Sequence, residues 1–187
     1  KITEIAKKNN IKVHMDGARF SNAVVSLKKT PAEITWKSGI DVLTFGGTKN
    51  GCLDAEAIIF FNSEDIKNFK YLQKRSGQLL SKMRFLSAQL DAYISNNLWY
   101  KNAKNSNNMA KILSTKLSRL NSIEITYPTE SNEVFVKIPK SIQDHLTKKG
   151  YYAVPDETFD GSVRFVSAWN TTEKDIDKLV NTIREKL

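Results

Sequence analysis

The sequence predicts an α/β fold: a strand-and-helix lobe, then a helical stretch, then a smaller α+β lobe at the carboxyl end. Three observations carry this. Two short apolar runs, residues 11–15 and 40–45, flank a helix-start signal, and a helical crossover between neighbouring strands makes them parallel. Leu79, Met83, Leu86, Leu90 and Tyr93 recur at three- and four-residue spacing, the stripe of a long amphipathic helix. Beyond about residue 120, strand-like runs and helical segments alternate again.

Each element follows from local signals. Ile2, Ile5 and Ala6 lie at helical spacing with only Lys1 before them, so the chain is expected to open inside a helix lacking a capping residue. Residues 11–15 read as an extended, mostly apolar strand. Thr30-Pro31-Ala32-Glu33 is a capping box with proline at the first helical position, and Gly39 can end that short helix. Residues 40–45 and 57–61 read as the second and third strands. Ser63, Glu64 and Asp65 form an N-terminal signature for the next helix. Helical patterning then runs to about Arg119, with an expected interruption at the asparagine-rich stretch 102–108. Residues 123–127, 133–138 and 163–168 read as strands, and 141–149 and 172–187 as helices, with Gly150 a C-cap. No internal repeat or low-complexity segment is visible.

Composition narrows the function classes. A hydrophobic share of 40% is ordinary for a globular protein, and no apolar run is long enough to span a bilayer. One cysteine, Cys52, excludes an intrachain disulfide and fits a reducing cytoplasm; it reads as a small buried side chain, since nothing pairs it with a base. The net charge of +9 invites a nucleic-acid reading, which the details oppose. The 23 lysines are scattered in runs no longer than two, only six arginines accompany them, and no nucleic-acid-binding motif appears. A solvated basic surface that attracts an anionic cofactor is the better account.

The chemistry sits in two turns. Phe45-Gly46-Gly47-Thr48-Lys49-Asn50-Gly51 puts a lysine in a glycine-rich bend after one strand. Val13-His14-Met15-Asp16-Gly17-Ala18-Arg19 puts a carboxylate and a guanidinium after another. In parallel sheets ligands lie beyond the carboxyl ends of strands, where both turns fall. A lysine amine for a Schiff base and an aspartate for a pyridinium nitrogen are the two side chains that pyridoxal 5′-phosphate needs most. The competing readings are a solvated loop lysine and a turn aspartate bonded to its own backbone. Gly46, Gly47 and Gly51 are expected to supply unusual backbone angles and close approach to a flat ring. Arg164 is odd within Val163, Phe165 and Val166, because an arginine buried there needs a partner; an edge strand turning it to water is the alternative. His14 is expected to be partly buried on the same face as Asp16, and His145 to be exposed.

These segments closely resemble the low-specificity threonine aldolases, of the β-eliminating lyase family of pyridoxal-phosphate enzymes with the aspartate aminotransferase fold. The likeness continues through Asp54-Ala55-Glu56-Ala57-Ile58-Ile59-Phe60-Phe61, Leu79-Leu80-Ser81-Lys82-Met83-Arg84-Phe85-Leu86 and Val163-Arg164-Phe165-Val166-Ser167-Ala168-Trp169, nearly the whole chain. It implies the C-terminal part of that fold, divided as residues 1–75 (cofactor domain), 76–120 (linking helices) and 121–187 (small α+β domain). It also implies Lys49 as the catalytic, cofactor-bearing residue, with Asp16, Arg19 (at the ring hydroxyl) and Thr48 (near the phosphate) as further cofactor contacts. Arg164 would bind the substrate α-carboxylate; no metal is implied. Arg84 has two readings, an approach to a neighbouring subunit's site or a surface charge. The implied activity is aldol cleavage of L-threonine or L-allo-threonine to glycine and an aldehyde, in a homo-oligomeric (dimeric or tetrameric) cytoplasmic enzyme with no nucleic-acid or membrane partner. The family's N-terminal portion, with its phosphate loop and ring-stacking histidine, has no counterpart here. The alternatives are an inactive truncated fragment, expected to associate and to show no threonine cleavage, or another pyridoxal-phosphate lyase or aminotransferase.

Overall fold

The computed structural model describes residues 1–187, which divide into two compact units, Lys1–Lys101 and Asn102–Leu187. In the first unit, α1 (Ile2–Lys8) precedes β1 (His14–Gly17), and α2 (Phe20–Leu27) and α3 (Pro31–Ile34) lead to β2 (Val42–Gly46). β1 and β2 are parallel, with Asp16 opposite Thr44 and Gly17 opposite Phe45. β3 (Glu56–Phe60) adds antiparallel on the other side of β2, with Gly46 opposite Glu56. The first strand therefore starts later than the apolar run suggests. Ile11 is exposed, and pairing begins only where the backbone at Val13 is caught by the Asp41 carboxylate (N to Oδ2, 2.8 Å).

Alternation gives the sheet two different faces. Leu43 and Phe45 are buried against Phe20 and Val24 of α2 and against Tyr93, with Met15, Ala57 and Trp99 packed around them. Phe45 is the hub, its ring making edge and tilted contacts with Phe20, Tyr93 and Trp99 at centroid distances of 5.8, 5.6 and 6.5 Å. The opposite face carries His14, Asp16, Thr44 and Ile58 and is open. His14 is thus exposed rather than partly buried, its Nε2 bonded to Thr44 Oγ1 at 2.8 Å.

The local start and stop signals of the crossover hold. The Thr30 hydroxyl accepts from Glu33 N while the Glu33 carboxylate accepts from Thr30 N, closing the capping box on Pro31. Gly39, at φ 87°, closes the short 3₁₀ turn Trp36–Ser38 that follows. The cap of the next turn is Asn62, whose Oδ1 accepts from Glu64 N, one residue before the serine that the sequence nominated.

The helical middle differs from its sequence reading in two respects. After α4 (Phe69–Arg75), α5 is confined to Arg84–Ile94, so Leu79 lies before it. The break comes at Asn96 and Asn97, both left-handed (φ 54° and 56°), and not at residues 102–108. α6 (Leu98–Leu117) runs unbroken through that asparagine-rich stretch. α5 ends at Ser95, which is extended (ψ 140°), and the left-handed pair that follows, a conformation asparagine tolerates, separates it from α6. Asn102 and Asn107 instead take buried positions on α6 beside Ala103, Ser106 and Ala110.

The second unit holds a four-stranded antiparallel sheet in the order β4 (Glu124–Ile125), β5 (Glu133–Lys137), β7 (Ser162–Val166), β6 (Pro155–Asp156). α7 (Lys140–Lys148) and α8 (Glu173–Arg184) supply the apolar residues that cover it. Val134, Val136, Val163, Ile142, Leu146, Val180 and Ile183 form the core with Leu113 and Leu117 of α6. Gly150 follows α7 in the left-handed conformation, as its C-cap reading required. His145 is mostly covered rather than exposed, because Glu185 after α8 reaches its Nε2 at 3.0 Å.

Candidate active site

Asp16 is the third residue of β1, and its Oδ1 accepts from Ala18 N at 3.0 Å. The carboxylate thus makes the local turn bond that the bland reading expected, while its side chain stays exposed on the open face. Arg19, partly buried, occupies the N-cap position of α2, three residues on. Lys49 is the central residue of a 3₁₀ turn, Thr48–Asn50, that leaves β2 directly. Thr48 and Lys49 are both exposed. Adjacent strands run about 4.8 Å apart, so the two turns leave the sheet side by side, at the same end.

Two of the three glycines also answer to a packing need that the sequence did not show. A Cβ at Gly46 would lie 2.8 Å from both Ala18 Cα and the Gly17 carbonyl oxygen, and one at Gly47 would lie 2.6 Å from the Ala55 carbonyl oxygen. The chain's own atoms therefore require them, at Gly46 because the two turns touch and at Gly47 because the connection to β3 folds back over it. Only Gly51 serves a conformational need, at φ 117°.

The lysine turn is pinned on its inner side by residues that the sequence reading passed over. Asn50 is only 3% exposed, and its Nδ2 donates to the Tyr93 hydroxyl (2.6 Å) and the Trp99 carbonyl (2.8 Å). The Tyr93 hydroxyl reaches the Gly46 carbonyl at 3.4 Å and Ser21 Oγ at 2.8 Å. A phenol has one proton; given to Gly46, it leaves Ser21 to donate. Burial pushes the Tyr93 phenol above its ordinary pKa, against the pull of Ser21 and Asn50. On the outer side Glu56 Oε1 accepts from Thr48 N at 3.1 Å. Burial, and then Glu56, also raise the Cys52 thiol, which keeps that half-buried side chain protonated and unreactive. One signal was available: a tyrosine in an apolar helical stripe needs a partner for its hydroxyl when buried.

Arg164 lies in the second unit, on β7 opposite Phe135. β7 is an interior strand, so an edge position does not explain the arginine. Its side chain, 38% exposed, donates to Glu133 Oε1 at 3.0 Å and stands over the Phe159 ring at 5.6 Å. It also lines an open pocket of about 700 Å³ with Tyr151, Asp156 and Thr171. Arg84, the first residue of α5, is exposed and packs over its neighbour Phe85.

The profile of the beta-eliminating lyase family matches residues 1–141. The chain belongs to the beta-eliminating lyase family. It is 43% identical over 185 residues to the low specificity L-threonine aldolase of Pseudomonas sp. (strain NCIMB 10558), covering 98% of this chain and 53% of that protein. It is 38% identical to the enzyme of the same name from Pseudomonas aeruginosa, over 98% of this chain and 53% of that one. Among solved structures, the threonine aldolase of Leishmania major superposes with a TM-score of 0.86 at 27% identity, covering 98% of this chain and 54% of that chain. The fold is therefore that of the pyridoxal-phosphate transferases. The chain spans about half the length of the relatives it matches. Members of this family are pyridoxal-phosphate lyases.

The residues present fit that cofactor. An exposed amine and an exposed carboxylate leave the same end of two adjacent parallel strands, and one carboxylate oxygen of Asp16 remains beyond the turn bond that Ala18 makes. No helix is long and apolar enough to cross a membrane.

Proposed function

We propose that this chain carries the lysine, the ring-nitrogen carboxylate and the substrate arginine of an enzyme that cleaves L-threonine and L-allo-threonine to glycine and acetaldehyde. The observation that carries the reading is the pairing of Asp16 and Lys49 at the carboxyl ends of adjacent parallel strands, in a chain 43% identical to a low specificity L-threonine aldolase. Pyridoxal phosphate, when bound, supplies the electron sink for the pair released at the substrate α-carbon.

The protein's own groups do the rest. Lys49 would hold the cofactor through its amine, and the turn bonds at Asn50 and Thr48 fix the backbone that carries it. Asp16 would accept a hydrogen bond from the protonated ring nitrogen through the oxygen that Ala18 leaves available, and so would keep that proton on the ring and the ring electron-poor. Arg19 would contact the ring hydroxyl, and the Thr48 hydroxyl would approach the phosphate. Arg164 binds the substrate carboxylate with the part of its fork that Glu133 does not occupy. We read the enzyme as a cytoplasmic homo-oligomer, with 1–75, 76–120 and 121–187 as its cofactor domain, linking helices and small domain.

The test is Lys49→Ala in the cofactor-loaded enzyme. The visible absorbance of bound cofactor and threonine turnover should both disappear; full activity with L-threonine would sink the assignment. The family match also supports a second reading, β-elimination on the same lysine and aspartate. Product analysis separates the two, since elimination yields ammonia and a keto acid whereas aldol cleavage yields glycine.

A further inference from the structure

The inference deepens the proposed function and rests on its reading of Lys49 as the cofactor-bearing residue. Of the three residues in the lysine turn, two face solvent and one faces inward. The inward one, Asn50, spends both of its amide protons on groups outside the turn, the Tyr93 hydroxyl and the Trp99 carbonyl. Tyr93 in turn reaches back to Gly46, the last residue of the strand that enters the turn, and to Ser21, near the start of the helix that follows Asp16. One phenol oxygen thus touches the strand before Lys49, the residue after it, and the helix leading away from the aspartate turn. Ser21, Asn50 and Tyr93 are 1%, 3% and 2% exposed, so water does not compete for these bonds.

We propose that Tyr93 and Asn50 are positioning residues for Lys49, fixing the lysine turn against the aspartate turn through a buried Ser21–Tyr93–Asn50 network. Neither side chain is exposed toward the open face, so they act through the backbone on either side of the lysine. The bonds are directional and lie in the largely apolar surroundings of Phe45 and Trp99. Losing the phenol oxygen leaves the turn held by its short backbone bonds, the Glu56 contact and the single Asn50–Trp99 bond, a looser hold that permits the amine to swing.

The experiment uses Tyr93→Phe, Asn50→Ala and Ser21→Ala, with Leu113→Ala as a destabilising control in the core of the second unit. Two readouts are taken. In the chain without cofactor, amide exchange of the segment 45–56 should quicken about tenfold in Tyr93→Phe and Asn50→Ala, with exchange in β5 unchanged. In the cofactor-loaded enzyme, the pH midpoint of the Lys49-dependent visible band should move by about half a unit or more. There kcat should fall about tenfold with KM within about twofold. Leu113→Ala should produce none of these. The proposal is overturned if Tyr93→Phe and Asn50→Ala keep the parent's band midpoint and kcat, or if Leu113→Ala shifts the band as far. Should Tyr93→Phe fail to fold, Asn50→Ala and Ser21→Ala carry the same test. A parent band that survives Lys49→Ala would instead overturn the reading of Lys49, and this inference with it.

Discussion

Asn50 donates to the hydroxyl of Tyr93 across 2.6 Å, joining the residue after Lys49 to a helix 43 positions away in the chain. The bond is buried at both ends, and both partners lack a route to water. Tyr93→Phe therefore removes the partner of one Asn50 amide proton and of Ser21, and we expect a loss of about 1–3 kcal/mol in the unfolding free energy of the first unit. Urea unfolding followed by Trp99 fluorescence checks this; a midpoint equal to the parent's contradicts it.

Asp16 and Lys49 should separate in their effects. Asp16→Ala in the loaded enzyme is expected to retain cofactor, because Lys49 remains, while kcat falls about a hundredfold or more as the ring loses its proton-holding partner. Absorbance and turnover measured together decide it. A variant that loses its cofactor as completely as Lys49→Ala would show that Asp16 serves binding alone.

Gly46→Ala should be damaging although it adds a single methyl. Its Cβ would sit 2.8 Å from Ala18 Cα and from the Gly17 carbonyl oxygen, backbone atoms that cannot rotate away. We expect about 1–3 kcal/mol of destabilisation and faster amide exchange in both turns. Wild-type stability would mean that the strand ends are less tightly apposed than they stand here.

Arg164→Lys keeps the charge and loses the planar fork. If the guanidinium grips the substrate carboxylate, KM for L-threonine should rise about tenfold or more, with a smaller change in kcat. Because the side chain is 38% exposed, thermal stability should barely move. Steady-state kinetics across threonine concentrations provides the check, and an unchanged KM argues against a role in carboxylate binding.

The capping box on α8 makes a pH prediction. Thr172 bonds hold the Asp175 carboxyl below its ordinary value of 3.8. A group depressed in the folded state contributes stability above its unfolded pKa and loses it as pH falls through the folded one. The first turn of α8 should therefore fray as pH drops below about 4. Asp175→Asn should show less of this acid dependence. Helical circular dichroism from pH 6 down to about 2 tests the difference between the two proteins.

What the sequence made legible was whatever is local. The Thr30–Glu33 box, the left-handed glycines at 39 and 150 and the apolar run of β2 all depend on residues a few positions apart, and all appear as expected. The parallel pairing followed from a topological rule. The asparagines misled, since 96–97 and 102–108 look alike by composition. Only burial on α6 distinguishes a helix-separating pair from a helix-packing set. The Asn50–Tyr93 bond was beyond reach for another reason. Nothing local says that a polar turn residue and a stripe tyrosine will meet. The glycine turn was found, with the unusual backbone angle at Gly51, but the packing need at Gly46 and Gly47 was not, because a missing side chain can make room for a ligand or for the protein itself.

The contact between Gly17 and Gly46 also sets how this fold can change. A side chain at position 17 would meet the Thr44 carbonyl at 2.3 Å, so neither glycine can drift by small steps. Thr44 and Ile58 face each other on the open side of the sheet, beside His14 and Asp16, with no such constraint. Mutational variation is thereby channelled: the rails that carry the two chemical groups are frozen, and the surface between them is free. A library randomised at 44 and 58 should keep a high fraction of folded members, whereas one randomised at 17 and 46 should return to glycine. Any new preference this lineage acquires on that face would arise at the permissive pair.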